Sequence, residues 1–288
     1  PTIYDETAEL ETANHPGQNE ALRKCKAIIE RKAATIGAPV VDLHGILDSL
    51  NRELQHDDPA FTIIGQDRVH PGIDGHFVMA YEFLKTQDHS PLVSRIEVDA
   101  KTYQAGELMN CEIHEVLKTE NGFSFTCTEG SLPFPLPDGL TAHRWIPFEN
   151  LNQEILKIKG LEQGDYKLTI DDVSIGVFSA NDLDKGINLS NYPEAPHYQQ
   201  AILVSELNEW RRLLEQNRLR SLALYDFGWF WLEDDKSLAE KELLFVEKLK
   251  PLMDKPFYGY LRRQADNYLQ FKPLENESKM QIEEITKA

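Results

Sequence analysis

No stretch of this chain approaches the ~20 consecutive apolar residues that a membrane-spanning helix needs, so nothing in it is expected to cross a bilayer. Basic charge is scarce as well. Thirty Lys and Arg stand against forty-eight Asp and Glu, a formal charge of −18, which repels phosphate backbones and anionic lipid surfaces and excludes nucleic acid and membrane as expected partners. Cysteine is sparse: Cys25, Cys111 and Cys127 are odd in number and show no C-x-x-C spacing, against a disulfide framework or a zinc knuckle. Pairing of Cys111 with Cys127 across two strands stays open, with buried free thiols the commoner case. An internal repeat is absent. So are an initiator Met and a basic-then-apolar export segment, and the expectation is that the natural N-terminal part was removed or belongs to another piece.

What is present describes a folded protein. Hydrophobic residues make up 41% and charged residues 27% of 288 positions, enough for a sizeable core and for one large or two smaller domains. Residues 18–36 predict a helix, because Leu22, Cys25, Ile28, Ile29, Ala33 and Ile36 recur at three- and four-residue spacing before Gly37. The run Ala38 to Leu43 predicts a buried strand, and Ile46, Leu47, Leu50 and Leu54 a second helix. A Gly/Pro-marked loop, Ile64 to Gly75, leads to a third helix, about Gly75 to Lys85, with Phe77, Val78, Ala80, Tyr81 and Leu84 inward. From about Pro91 the period changes to two, in Ile96 and Val98, in Phe123, Phe125 and Cys127, and in Tyr166, Leu168 and Ile170. Turn residues (Glu120-Asn121-Gly122, Glu162-Gln163-Gly164-Asp165, Asp171-Asp172) separate these runs, as a small antiparallel sheet or sandwich requires. The proline-rich Leu132 to Pro137 belongs on an edge or surface. After Ser179 the helical period returns, in Leu203, Leu207, Trp210 and Leu214 and again in Leu243, Val246 and Leu249. The aromatics Tyr225, Phe227, Trp229, Phe230 and Trp231 predict a packed core or interface patch, and the polar stretch from Glu275 to Ala288 is expected to fray.

The chemistry concentrates in Gly65-Gln66-Asp67-Arg68-Val69-His70-Pro71-Gly72-Ile73-Asp74-Gly75-His76. A serine hydroxyl is a poor nucleophile at neutral pH, so a neutral imidazole must take its proton and later return it to the leaving alcohol. His70 can do that. A carboxylate on the other ring nitrogen fixes the tautomer and stabilises the imidazolium, and a three-residue loop offset lets Asp67 reach its own neighbour. A lone D-x-x-H is more often a loop brace; Pro71, Gly75-His76 and the following helix change that balance. His76 reads as a packing or capping residue and Arg68 as solvent-facing. A metal site from Asp67, His70 and His76 is disfavoured, since the two histidines are six apart rather than four on a helix.

This segment resembles the last block of the SGNH/GDSL hydrolases, in which D-x-x-H-P precedes a glycine-histidine pair and an apolar helix; Met79-Ala80 and Phe83-Leu84 fit the same pattern. Pro1 to Asp5 resembles the loop after a central strand of these proteins. Leu151-Asn152-Gln153-Glu154, Gly164-Asp165-Tyr166, Ile170-Asp171, Phe178-Ser179 and Gly186-Ile187-Asn188-Leu189 look like the appendage of one bacterial branch. The resemblance implies an α/β fold: residues 1–88 as the C-terminal portion of a flavodoxin-like three-layer α/β/α SGNH domain, incomplete at its N-terminal side. An antiparallel β-rich module, 91–179, and a helical C-terminal region, 180–288, follow. It implies a serine ester hydrolase removing short acyl groups, for instance acetyl from carbohydrate, with His70 and Asp67 catalytic, no cofactor or metal, and an exported (secreted or periplasmic) bacterial protein.

The departure is equally plain. The family's G-D-S serine block, its glycine and its G-x-N-D asparagine precede D-x-x-H, and none is found before Asp67. Asn181-Asp182 follows Ser179-Ala180 with no glycine and reads as a helix cap; there is no G-x-S-x-G either. The expectation is a separate N-terminal segment that carries Ser, Gly and Asn and pairs with residues 1–88. The alternative is a non-catalytic carbohydrate-binding protein with a degenerate hydrolase part and Trp145 or Trp210 as candidate sugar platforms.

Overall fold

The computed structural model describes residues 1–87, 90–226 and 236–287. Helical spacing near the N-terminus is realised as α1 (Gln18–Ile36), closed by the left-handed Gly37, and α2 (Leu43–Gln55), whose first turn is capped by Asp42 accepting from the Gly45 amide at 2.8 Å. The third helix, α3 (Ile73–Thr86), starts two residues earlier than the apolar spacing suggests. Val78 and Tyr81 are buried with Leu47, Ile63, Ile64 and Ile3 in one apolar core. Ala80 and Leu84 face outward instead. α1 is also turned differently: only Ala33 is buried, while Ile28, Ile29 and Ile36 are 53%, 48% and 78% exposed.

Residues 38–42 form no strand, and Leu43 already belongs to α2. A parallel strand exists only through the ladder of a neighbour, and no described strand lies beside this segment.

The period-two region forms β1 (Leu92–Asp99), β2 (Gln104–Met109), β3 (Cys111–Thr119), β4 (Gly122–Glu129), β5 (Gln153–Lys159), β6 (Asp165–Ile170), β7 (Val173–Ser179) and a short β8 (Ile187–Asn188), with α4 (Ala180–Lys185) between the last two. The expected antiparallel module is in fact mixed. Four strands lie in the order β2-β1-β5-β8, and β1 and β5 run parallel, with Ile96 opposite Leu156 and Val98 opposite Ile158. Alternation reports which face is buried, not strand direction; here the long connection from residue 100 to 152 returns the chain to the same end of the sheet. Hairpins β3-β4 and β6-β7 are separate two-stranded sheets. Ile96, Val98, Leu156, Ile158, Leu183, Ile187 and Leu189 form a second core.

The proline-rich Leu132 to Pro137 carries no strand. Asn152 pins it by accepting from the Phe134 amide (2.9 Å) and donating to the Phe134 carbonyl (3.1 Å). Leu140, Ala142 and Ile146, which follow, pack into the core of α2 and α3. Asp74 makes that attachment polar as well as apolar: its carboxylate accepts from the amides of Thr141 and Ala142, both at 2.7 Å, and from the Thr141 hydroxyl at 2.8 Å.

The chain divides into two compact units, Pro1–Gln199 and Gln200–Ala288. α5 (Pro196–Asp226) leads into the second, which also holds α6 (Leu238–Leu249), α7 (Tyr258–Phe271) and α8 (Glu275–Lys287). Its core is Phe245, Leu249, Ala265 and Tyr268. Leu243 and Val246, expected inward, are exposed because the buried stripe runs Lys241, Phe245, Leu249 at four-residue spacing. Leu203 and Trp210 of α5 are likewise exposed. The C-terminal stretch expected to fray is helical, with Glu275 held by Lys272 (2.7 Å) and Lys279 (3.1 Å). Phe227, Trp229, Phe230 and Trp231 lie outside the described residues, and the side chain of Tyr225 is not described.

Candidate functional site

The loop that bears Asp67 and His70 is built by close backbone approaches. The Gly65 amide donates to the His70 carbonyl at 2.8 Å and the Arg68 amide to the Gly65 carbonyl at 2.8 Å, while Ile64 and Pro71 form a β-bridge. A Cβ on Gly65 would sit 2.8 Å from the His70 carbonyl oxygen, and one on Gly75 2.6 Å from the Ile63 carbonyl oxygen, so both ends of the loop require glycine.

At the apex Arg68 adopts a left-handed φ of 66°, and the chain doubles back over the Asp67 carboxylate. Asp67 Oδ1 accepts from the amides of Val69 (3.0 Å) and His70 (2.9 Å), and Oδ2 lies 2.6 Å from His70 Nδ1. The backbone hydrogen bond from His70, with its ring and the Val69 amide, holds the Asp67 carboxyl down at about 2. It is ionised at neutral pH. With Nδ1 engaged, the His70 side chain is 83% exposed, so a partner can approach Nε2.

Arg68 is not solvent-facing. It is 2% exposed, and its guanidinium donates to the carbonyls of Asp5 (3.0 Å), Ala8 (3.1 Å), Leu10 (3.2 Å) and Thr12 (3.1 Å). The Asp5 amide returns a bond to the Arg68 carbonyl at 3.1 Å, and Thr12 Oγ1 donates to the Gln66 carbonyl at 2.6 Å. Asp5, 1% exposed, organises the same segment by accepting from the Thr7 and Ala8 amides at 3.0 Å. An irregular stretch with many carbonyls needs a multidentate donor when buried, and arginine offers five N–H groups; that demand is set by the tertiary fold and has no sequence spacing to announce it. His76 is exposed and caps nothing, since Gly72 occupies the N-cap of α3.

Other residues singled out above separate cleanly. Ser179, rather than Asn181-Asp182, caps α4: its Oγ accepts from the Asp182 amide (3.1 Å) and donates to the Asp182 carboxylate (2.7 Å). Trp145 is partly buried and packs edge-on against Phe61, with ring centroids 5.3 Å apart, against the first core. The three cysteines are free, and burial pushes the Cys127 thiol up to about 12.

A second cluster lies on the inner face of β5, where Glu129, Glu154 and His197 converge. Glu154 is fully buried, and His197 Nε2 lies 3.0 Å from its carboxylate. Ser94 Oγ donates to Glu129 Oε1. Burial, reinforced by the neighbouring Glu154, pushes the Glu129 carboxyl up to about 7. Burial works against a charged His197 ring, but the Glu154 hydrogen bond and the surrounding carboxylates outweigh it and raise the ring's pKa. Sequence spacing could not bring together positions 129, 154 and 197.

No family model and no curated protein matches the chain. A solved structure does: BT4096, a gut microbial diltiazem-metabolizing enzyme, superposes with a TM-score of 0.80 at 33% sequence identity, over 99% of this chain and 67% of that one. The chain belongs to the same family as that enzyme. About a third of the neighbour's length has no counterpart here.

Proposed function

We propose that this chain carries the acid–base half of a serine ester hydrolase of the SGNH/GDSL type, with His70 as general base and then general acid and Asp67 as its orienting carboxylate. The observation that carries this reading is the 2.6 Å contact between His70 Nδ1 and an ionised Asp67 beneath an exposed imidazole. In that arrangement Nε2 accepts the proton of a serine hydroxyl as it attacks an ester carbonyl and returns it to the departing alcohol; water repeats the cycle on the acyl-serine. The serine and the glycine and asparagine donors for the oxyanion come from a segment outside the present sequence, seated against residues 1–88. Two findings support that segment: the outward apolar residues of α1, and the greater length of the diltiazem-metabolizing relative. Short-acyl esters, including acetyl groups on carbohydrate, are the proposed substrates, and the relative makes diltiazem the first drug-like compound to test.

The test is turnover of p-nitrophenyl acetate and of diltiazem by the full-length protein. His70→Ala is expected to lower kcat/KM at least 10²-fold and Asp67→Asn to do so through kcat rather than KM. Equal rates from His70→Ala and the unaltered protein overturn the assignment.

A further inference from the structure

The cluster on the inner face of β5 takes no part in the hydrolysis proposed above, and its composition is unusual for a structural core. Two carboxylates and an imidazole approach one another from three elements: Glu129 at the end of β4, Glu154 in β5 and His197 in the first turn of α5. One donor atom from each lies within 4.8 Å of the others. A buried carboxylate is ordinarily saturated with donors, and Glu154 is not. Its side chain has no exposed surface, and His197 Nε2 sits 3.0 Å from both of its oxygens. One N–H serves Oε2, which leaves Oε1 buried without a donor. The frame around it is fixed: the Glu154 amide donates to Asn188 Oδ1 (2.9 Å), Asn188 Nδ2 donates to the Asn152 carbonyl (3.0 Å), and Ser190 Oγ donates to the same carbonyl (2.6 Å).

We propose that Glu129, Glu154 and His197 bind one divalent transition-metal ion of the zinc or manganese class, with Ser94 orienting Glu129. Imidazole nitrogen and carboxylate oxygen together are the donor set such ions take, at ~2.0–2.2 Å. Three donors up to 4.8 Å apart reach that distance from a common centre by moving inward less than about 1 Å. Without the ion, two carboxylates share one partly buried space. A dication neutralises both and supplies Glu154 Oε1 with a partner. Glu129 and His197 remain partly exposed, which gives the ion a way in. Three protein ligands leave positions for water, and the bound ion ties β4, β5 and the start of α5 together.

The experiment uses protein stripped with EDTA, exchanged into chelator-free buffer and titrated calorimetrically with ZnCl2 and, separately, MnCl2. Metal content is measured after desalting, and melting temperature with and without metal. The expected result is one saturable site per chain, a rise in melting temperature, and at least a 30-fold loss of affinity in both Glu129→Gln and His197→Gln. Glu129→Gln preserves the size and polarity of the side chain, so it is expected to fold at least as well as the parent; its melting temperature without metal confirms that. Cys25→Ser and His70→Ala report binding at the exposed thiol or at the Asp67-His70 loop, and both are expected to leave affinity unchanged. Failure to retain metal, affinity unchanged in Glu129→Gln and His197→Gln, or affinity lost only in Cys25→Ser or His70→Ala overturns the proposal and leaves a proton-sharing carboxyl pair.

Discussion

Asp67 and Glu129 are carboxylates pushed in opposite directions by the same three physical effects. Asp67 is on the surface, where amide and imidazole donors converge on it and hold it at about 2; Glu129 is in the interior, where desolvation and a second carboxylate lift it to about 7. The first comes from a single six-residue loop. The second requires strands and a helix that meet only when the sheet is assembled. Chemistry that is local in the chain can be proposed from spacing; chemistry made by topology cannot.

That contrast can be broken most forcefully at Arg68, which makes the local loop depend on distant residues. Arg68→Ala deletes the donors to four carbonyls in residues 5–12, and each buried acceptor left without a donor costs about 1–3 kcal/mol. The urea midpoint is expected to fall accordingly. His70→Ala, at an exposed side chain a few ångströms away, is expected to leave the midpoint nearly unchanged. If both behave alike, the loop is not clamped as described.

Legibility follows the same division. Helices α2 and α3 and the Asp67-His70 contact were readable because helical period, capping and a three-residue offset are local quantities. The strand expected at Ala38 to Leu43 was not realised, since a strand is a property of a pair. The module expected to be antiparallel holds a parallel β1–β5 pair, because alternation is the same in both and β5 has no strand reading in the sequence. Arg68 reads as solvent-facing, whereas its burial is set by the carbonyls of residues 5–12. The outward turn of Ile28, Ile29 and Ile36 is likewise invisible to periodicity, which marks an apolar stripe without saying what covers it.

The acid–base contrast itself gives the next largest effect, measured on metal-stripped protein. Glu129, facing Glu154, Ser94 and His197, keeps its proton to about 7 when folded, against about 4.5 unfolded. Between those values the folded state holds more protons, so stability falls as pH rises through the window and stays lower above it. His197, its pKa raised in the fold, adds stability below the unfolded value that is lost on the same upward path. The melting temperature is therefore expected to drop by at least a few degrees from pH 5 to pH 8, the scale of roughly 1 kcal/mol in a chain this long. Glu129→Gln should flatten that slope. Asp67 acts with opposite sign: its stabilising contribution is present above the unfolded value of 3.8 and is lost only as pH falls toward about 2. A profile that rises from pH 5 to pH 8 would contradict the burial assigned to the β5 cluster.

The smallest effect separates two turns that look alike in the sequence. Asp171-Asp172 joins β6 to β7 as a two-residue loop between Ile170 and Val173, and both residues have positive φ, 46° and 66°. Those are the requirements of a type I′ turn; a side chain with a Cβ meets them with strain that Asn and Asp bear better than most and Gly does not incur at all. Glu120-Asn121 also joins paired strands, between Thr119 and Gly122, yet neither residue has positive φ. Asp172→Gly should thus raise stability by less than about 1 kcal/mol, because it relieves a left-handed conformation that costs about 1–2 kcal/mol while adding freedom to the unfolded chain. Asn121→Gly, in the turn that does not adopt it, is expected to be neutral or slightly destabilising, since glycine there adds only freedom to the unfolded chain. Urea midpoints of the two variants decide the matter: equal shifts would mean that the two hairpins share one turn geometry, and the distinction drawn from backbone angles would fall.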